Sequence, residues 1–171
     1  MADINADTAA FDDLLAANAD FAADFDLAGL QGLARAGVAI VTCMDSRIDP
    51  LAVFGLRTGD AKILRNPGGR VTPQVMDALV LSVHLLGADR IVIMPHTRCA
   101  VASNTAEQLR SRLAESAGQD VSWVPLPVTD DQQQALAADV HAVRSHPLIP
   151  DTVKVGGFVY DVDSGRVTQQ A

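Results

Sequence analysis

A thiol, a carboxylate and a guanidinium stand at alternate positions in Cys43-Met44-Asp45-Ser46-Arg47, and an imidazole and a second thiol follow in His96-Thr97-Arg98-Cys99. These are the only two cysteines, far apart in sequence, so they form one disulfide, stay free, or share a metal. Zinc prefers thiolate and imidazole, and a catalytic zinc site holds three protein ligands with a fourth position open. Cys43, His96 and Cys99 supply that number, with Asp45 and Arg47 beside them. Cys99 is expected just before a helix, where the dipole favours the thiolate.

Each group also has a plainer role. A buried cysteine is often an inert small hydrophobe, Asp45 and Arg47 can be a structural ion pair, and Asn66-Pro67-Gly68-Gly69 can be an ordinary turn. A Cys43–Cys99 disulfide would make a redox switch. A cysteine phosphatase also places a thiol after a strand with an arginine nearby, but its anion loop needs a longer spacer than the three residues between Cys43 and Arg47.

These residues need strand ends to hold them. Val38-Ala39-Ile40-Val41, opened by Gly37, reads as a buried strand of a parallel sheet. Its far end carries Cys43 to Arg47, where ligands sit in open α/β sheets. Asp49-Pro50 opens a short helix over Leu51–Leu56. A second strand, Ala61–Arg65, runs into the turn Asn66–Gly69. Thr72-Pro73 opens the clearest helix, with Val71, Val75, Leu79, Val83 and Leu86 at helical spacing and Gly87 as its stop.

Arg90–Pro95 is a third buried strand, ending at His96. Helices are predicted over about Ser103–Ala117, with Leu109 and Leu113 inward, and over Asp131–Ser145. Val155–Asp161 and Arg166–Thr168 form an antiparallel hairpin. Ahead of all this, Thr8 to about Ala23 reads as an amphipathic helix. Strands alternating with helices give an α/β fold, a mostly parallel sheet of four to five strands with helices on both faces and an N-terminal helical arm. One domain spans residues 1–171, and residues 1–36 are an arm expected to pack on a partner subunit.

The 171 residues suffice to bury a core without staples, and 49% of them are apolar, which excludes a disordered chain. A net charge of −8 argues against nucleic acid as a partner. No apolar run approaches the roughly 20 residues that cross a bilayer. Met1–Asp13 lacks a basic n-region, so no secretory signal is expected and a cytoplasmic location follows. Arg47, Arg65, Arg70 and Arg98 fall at or beyond strand ends, suggesting a locally positive mouth suited to a small anion. His84, His141 and His146 have no ligand spacing with the cysteines and read as surface or satisfied residues.

Three separated motifs, Cys43-Met44-Asp45-Ser46-Arg47, Arg65-Asn66-Pro67-Gly68 and His96-Thr97-Arg98-Cys99, come in the order and at the separations of the β-class carbonic anhydrases, and the chain resembles the short bacterial members of that family. The resemblance runs from the N-terminal helix to Gly157-Phe158-Val159-Tyr160-Asp161. It implies one Zn2+ per chain on Cys43, His96 and Cys99, an Asp45–Arg47 pair, and reversible hydration of carbon dioxide to bicarbonate. The working unit it implies is a homodimer, or a tetramer built from it.

Zinc lowers the pKa of its water from about 15.7 towards 7. Two thiolates already cancel the charge of the metal, so an added acceptor such as Asp45 becomes useful. Asp45 can instead bind zinc itself in a closed form, in competition with Arg47. The backbone of Gly68 and Gly69 is expected to line the crevice, with Arg98 as a further substrate contact.

The family usually reads H-x-D-C-G where this chain has His96-Thr97-Arg98-Cys99-Ala100. Arg98 changes the charge beside the metal, Ala100 adds a methyl, and Pro67 stiffens the turn. Relatives on this fold hydrolyse carbon disulfide or carbonyl sulfide, linear apolar molecules open to the same attack. A non-catalytic zinc or bicarbonate-binding protein is the other alternative.

Overall fold

The structure is a computed structural model that describes residues 8–171. The sequence readings on residues 1–7, including the first part of the expected arm, lie outside the described residues. The chain divides into two units, one ending at Gln31 and the other Gly32–Ala171. In the first, a 3₁₀ turn over Thr8–Phe11 leads into α1 (Asp12–Ala23), which has no buried residue. Residues 34–36 belong with the larger unit, because Ala34, Arg35 and Ala36 donate to the carbonyls of Leu86, Gly59 and Asp60.

The larger unit is built around β1 (Val38–Cys43), every residue of which is buried. A strand paired in parallel on both sides has no solvent face, which is why its sequence is continuously apolar. Its neighbours are β2 (Ala61–Asn66) and β3 (Arg90–Met94). β4 (Lys154–Tyr160) pairs parallel to β3, and β5 (Val167–Gln169) turns back antiparallel on β4, giving the order β2-β1-β3-β4-β5. The register sets Cys43 beside Asn66 and Thr42 beside Met94. Thr42 fastens the latter pair by donating its hydroxyl to the Met94 carbonyl at 2.7 Å.

The crossovers are α2 (Pro50–Val53), α3 (Pro73–Leu85), and then α4 (Ala106–Ala117) with α5 (Gln132–Arg144). Asp49, Thr72, Thr105 and Asp131 each cap the following helix by accepting a backbone N–H. Thr105 and Gln108 complete a reciprocal capping box. One core cluster joins β1, β3 and β4 to α3 and α5 through Val41, Ile93, Val155, Leu79 and Val140. A second gathers Cys43, Ile48, Met94, Cys99 and Tyr160, with Val53 and Phe54 against it.

Two expectations are corrected. α4 begins only at Ala106 and has no buried residue, and Leu113 is 37% exposed instead of inward. Its polar sequence keeps it at the surface. Cys99 therefore does not sit at a helix N-terminus: turns occupy the residues between it and α4.

The turn after β2 is a short 3₁₀ segment, Pro67–Gly69, with Gly68 at φ +83° and Gly69 at φ +65°. A Cβ on Gly69 would lie 2.9 Å from the Cys43 backbone nitrogen, so only glycine lets the turn lie directly on the end of β1. Gly69→Ala is expected to cost about 2 kcal/mol or more, through left-handed strain and that clash. A thermal melt should read this as a fall of roughly 5 °C or more.

Candidate metal centre

β1 delivers Cys43 at its last residue. The segment after β3 delivers His96, which bridges to Tyr160 of β4, and then Cys99. The two thiol sulfurs lie 3.9 Å apart as free cysteines, beyond the roughly 2.05 Å of a disulfide. One ligand atom from each of Cys43, His96 and Cys99 lies within 4.8 Å of the others, and all three residues are buried.

The histidine is held for this position. Its Nδ1 lies 2.8 Å from the Thr97 carbonyl, and Gln132 Nε2 donates to the His96 carbonyl at 3.1 Å. With Nδ1–H donating to Thr97, Nε2 carries a lone pair. That nitrogen is buried with no hydrogen-bond partner. A buried imidazole nitrogen without a partner is costly, and here it faces two sulfurs, the donor set zinc takes. The residues present fit a single Zn2+.

The sulfur pair shares its protons unequally. The Cys99 thiol donating to it, with the Gly68 N–H in support, lowers Cys43 to about 4 against the cost of burial. Cys99 is pushed up, first by that same bond to Cys43 and then by burial. The expectation that Cys99 carries the favoured thiolate is thus reversed: the ready thiolate is Cys43, towards which Gly68 N–H points at 3.3 Å. Metal-free protein should show the ultraviolet absorbance of one thiolate per chain at neutral pH. In Cys99→Ala the pKa read from that absorbance should rise towards an ordinary thiol near 8.5, since the donor that is the largest cause of the shift is gone.

Asp45 is gripped by Arg47 alone. Arg47 Nε donates to Oδ1 at 2.9 Å, Nη2 to Oδ2 at 2.7 Å, and the Arg47 backbone N–H to Oδ1 at 2.9 Å. The hydrogen bond from the Arg47 side chain is the main cause that holds the Asp45 carboxyl well below the usual carboxylate range. Asp45 Oδ2 lies 3.7 Å from His96 Nε2. A cavity of about 430 Å³ opens over these groups, lined by Met44, Pro67, Gly68, Ala100 and Val101 as well as the ligands, Asp45 and Arg47. Gly69 and Arg98 are not among its lining residues.

Three of the four arginines expected to make a positive mouth are paired with acids. Arg47 holds Asp45, and Arg98 pairs with Asp163 at 2.6 Å. Arg70 pairs with Asp139 at 2.6 Å. Arg65 donates to the carbonyls of Cys43 at 3.0 Å and Asp45 at 2.7 Å, so it shapes the Cys43–Asp45 backbone. Sequence reasoning missed Gln132 and Asp139. An acid at 139 on the same helical stripe as Leu136, Val140 and Val143 was the available signal. His84 and His146 are engaged with the Leu148 backbone and lie outside the cavity lining.

A mostly parallel α/β sheet whose strand ends gather two thiols and an imidazole is the architecture of a zinc enzyme, and residues 38–167 match the family described as carbonic anhydrase. The β-carbonic anhydrase 1 of Mycobacterium tuberculosis is 31% identical over 161 residues, covering 92% of this chain and 96% of that one. A crystal structure of the carbonic anhydrase from Streptococcus mutans superposes with a TM-score of 0.83 at 36% identity, covering 94% of this chain and 97% of that one. A carbon disulfide hydrolase of Acidithiobacillus thiooxidans is 28% identical over 152 residues, covering 75% of this chain and 70% of that one. This chain belongs to the β-class of the carbonic anhydrase family.

Proposed function

We propose that this chain catalyses reversible hydration of carbon dioxide to bicarbonate, with one Zn2+ held by Cys43 Sγ, His96 Nε2 and Cys99 Sγ. The buried, unpartnered His96 Nε2 facing the two sulfurs carries this reading. Zinc, when bound, acidifies water and so supplies a nucleophile near neutral pH. The other work falls to the chain. The Arg47 fork fixes both carboxylate oxygens, which keeps Asp45 ionised and favours the open form of the site over the closed one.

Asp45 Oδ2 is the atom that orients the attacking water by accepting its hydrogen bond. Met44, Pro67, Ala100 and Val101 give the cavity an apolar wall that suits a small linear apolar substrate. Gly68 meets the substrate from that wall, Gly69 sets the wall against β1, and Arg98 stands behind it, tied to Asp163. Carbon disulfide hydrolysis is the second reading, favoured by the likeness to the Acidithiobacillus enzyme.

The full chain works as one domain and as a homodimer. Phe11, Leu14, Leu15 and Phe21 of the arm are each more than half exposed, and a partner subunit is the surface proposed to cover them. Sedimentation of the wild type against a variant with polar residues at those four positions tests this. Two reduced thiols suit a cytoplasmic location. No helix among the described residues is long and apolar enough to cross a membrane.

The test of function is stopped-flow hydration by zinc-loaded protein, with carbon disulfide hydrolysis measured alongside. Hydration above the buffer rate from neutral to alkaline pH is the expected result. Stoichiometric zinc with hydration no faster than buffer rejects this assignment in favour of the hydrolase, or of a non-catalytic zinc or bicarbonate-binding protein if neither reaction is seen.

A further inference from the structure

Asp139 is a buried acid in the middle of α5, on the stripe where Leu136, Val140 and Val143 pack into the core. An apolar residue would be the cheaper occupant, since a buried ion pair adds little net stability over well-packed apolar side chains. All its bonds go to one place. Oδ2 accepts from Arg70 Nε at 2.6 Å and from the Val71 N–H at 3.2 Å, and Oδ1 accepts from Arg70 Nη2 at 3.0 Å. Arg70 also donates to Thr129 Oγ1 at 3.3 Å.

Arg70 closes the turn that follows β2. Asn66 clamps it from the other end, with Oδ1 accepting the Arg70 N–H at 2.8 Å and Nδ2 donating to the Arg70 carbonyl at 2.7 Å. Between these fixed ends the chain has only Pro67, Gly68 and Gly69. Gly68 aims its N–H at Cys43 Sγ from 3.3 Å, and Gly69 rests on the backbone at the end of β1. Two consecutive glycines in the left-handed region have no side chain to hold that conformation, so their geometry must be imposed from outside.

We propose that Asp139 is a positioning residue of the metal centre: through its fork on Arg70 it holds the Asn66–Arg70 turn so that Gly68 N–H stays on the Cys43 sulfur. The inference rests on the metal assignment made above. Gln132, about two helical turns earlier on α5, donates to the His96 carbonyl. One helix thus steadies two of the three ligands, Cys43 through the turn and His96 directly. Outer partners of metal ligands typically change metal affinity by roughly 10–100-fold when lost.

The test compares wild type with Asp139→Asn by chelator-competition titration of Zn2+ and by the thiolate-to-metal charge-transfer spectrum of the Co2+ form. Both are read at a temperature where circular dichroism shows each protein folded. Asp139→Asn is expected to weaken Zn2+ binding by about tenfold or more and to shift the Co2+ band. Arg70→Gln reads the same contact from its more exposed side should Asp139→Asn not fold, and the double variant should be no worse than the poorer single one.

A folded variant with a lower melting temperature but wild-type Zn2+ affinity and Co2+ spectrum overturns the proposal and leaves Asp139 a tether of α5. Wild-type protein that takes up no stoichiometric Zn2+ overturns the metal assignment, and this proposal with it. Wild-type uptake with unaltered variants overturns this proposal alone.

Discussion

Cys43→Ser is expected to lose stoichiometric zinc and to hydrate carbon dioxide no faster than buffer. Cys43 is the more readily ionised of the two sulfurs, lowered to about 4 by the Cys99 thiol with the Gly68 N–H in support. A serine hydroxyl at that position stays protonated at neutral pH, so it offers Zn2+ neither the charge nor the soft donor that thiolate does. Cys99 also loses the thiolate it donates to. The loss in affinity should exceed the roughly 10–100-fold typical of outer partners. Equilibrium dialysis followed by metal analysis measures it. The fold should survive, because β1 is otherwise held by two parallel ladders and an apolar core.

Asp45→Asn separates the metal from the chemistry. Asparagine keeps the shape but loses the charge, so one of the two Arg47 contacts becomes donor against donor and the guanidinium loosens. Zinc content is expected to stay at wild type, while kcat falls by about 10²–10³-fold, in the range of a lost proton-handling group. Stopped-flow hydration read together with metal analysis checks both halves.

The same substitution has a stability signature. The folded-state pKa of Asp45 is depressed, so its stabilising effect is present above the unfolded value near 3.9 and is lost as pH falls through the folded one. Asp45→Asn should therefore flatten the acid limb of the stability curve. It should leave the neutral-to-alkaline region parallel to wild type. The change will be small, because Arg47 is nearly half exposed and solvent screens the pair.

Much of this was legible where chemistry and periodicity coincide. β1 reads as buried because the four apolar residues Val38–Val41 suit a two-sided parallel strand, and the reactive groups begin just beyond that run. The ligand trio could be read from donor type, since only two cysteines exist and a histidine precedes one of them by three positions. What could not be read was how charge is shared. The arginines looked like a field because sequence shows their placement at strand ends, whereas Asp139 and Asp163, which neutralise two of them, come from the helix and the hairpin that fold back later.

The identity of the favoured thiolate was hidden for a similar reason. It depends on a 3.9 Å contact between two sulfurs and on a glycine N–H delivered by another strand's turn. The helix expected from about Ser103 begins at Ala106 instead, because the capping box at Thr105 decides where α4 starts. Leu113 then reads as inward by spacing alone, although α4 buries no residue in this chain.

X-ray absorption at the zinc edge of the loaded protein tests the central claim most directly. Two sulfur neighbours at about 2.3 Å and one imidazole nitrogen at about 2.0–2.1 Å are the expected shell, with one lighter neighbour completing four. A shell of oxygen and nitrogen without sulfur would contradict it, because Cys43 and Cys99 would then not be the ligands that bring this site together.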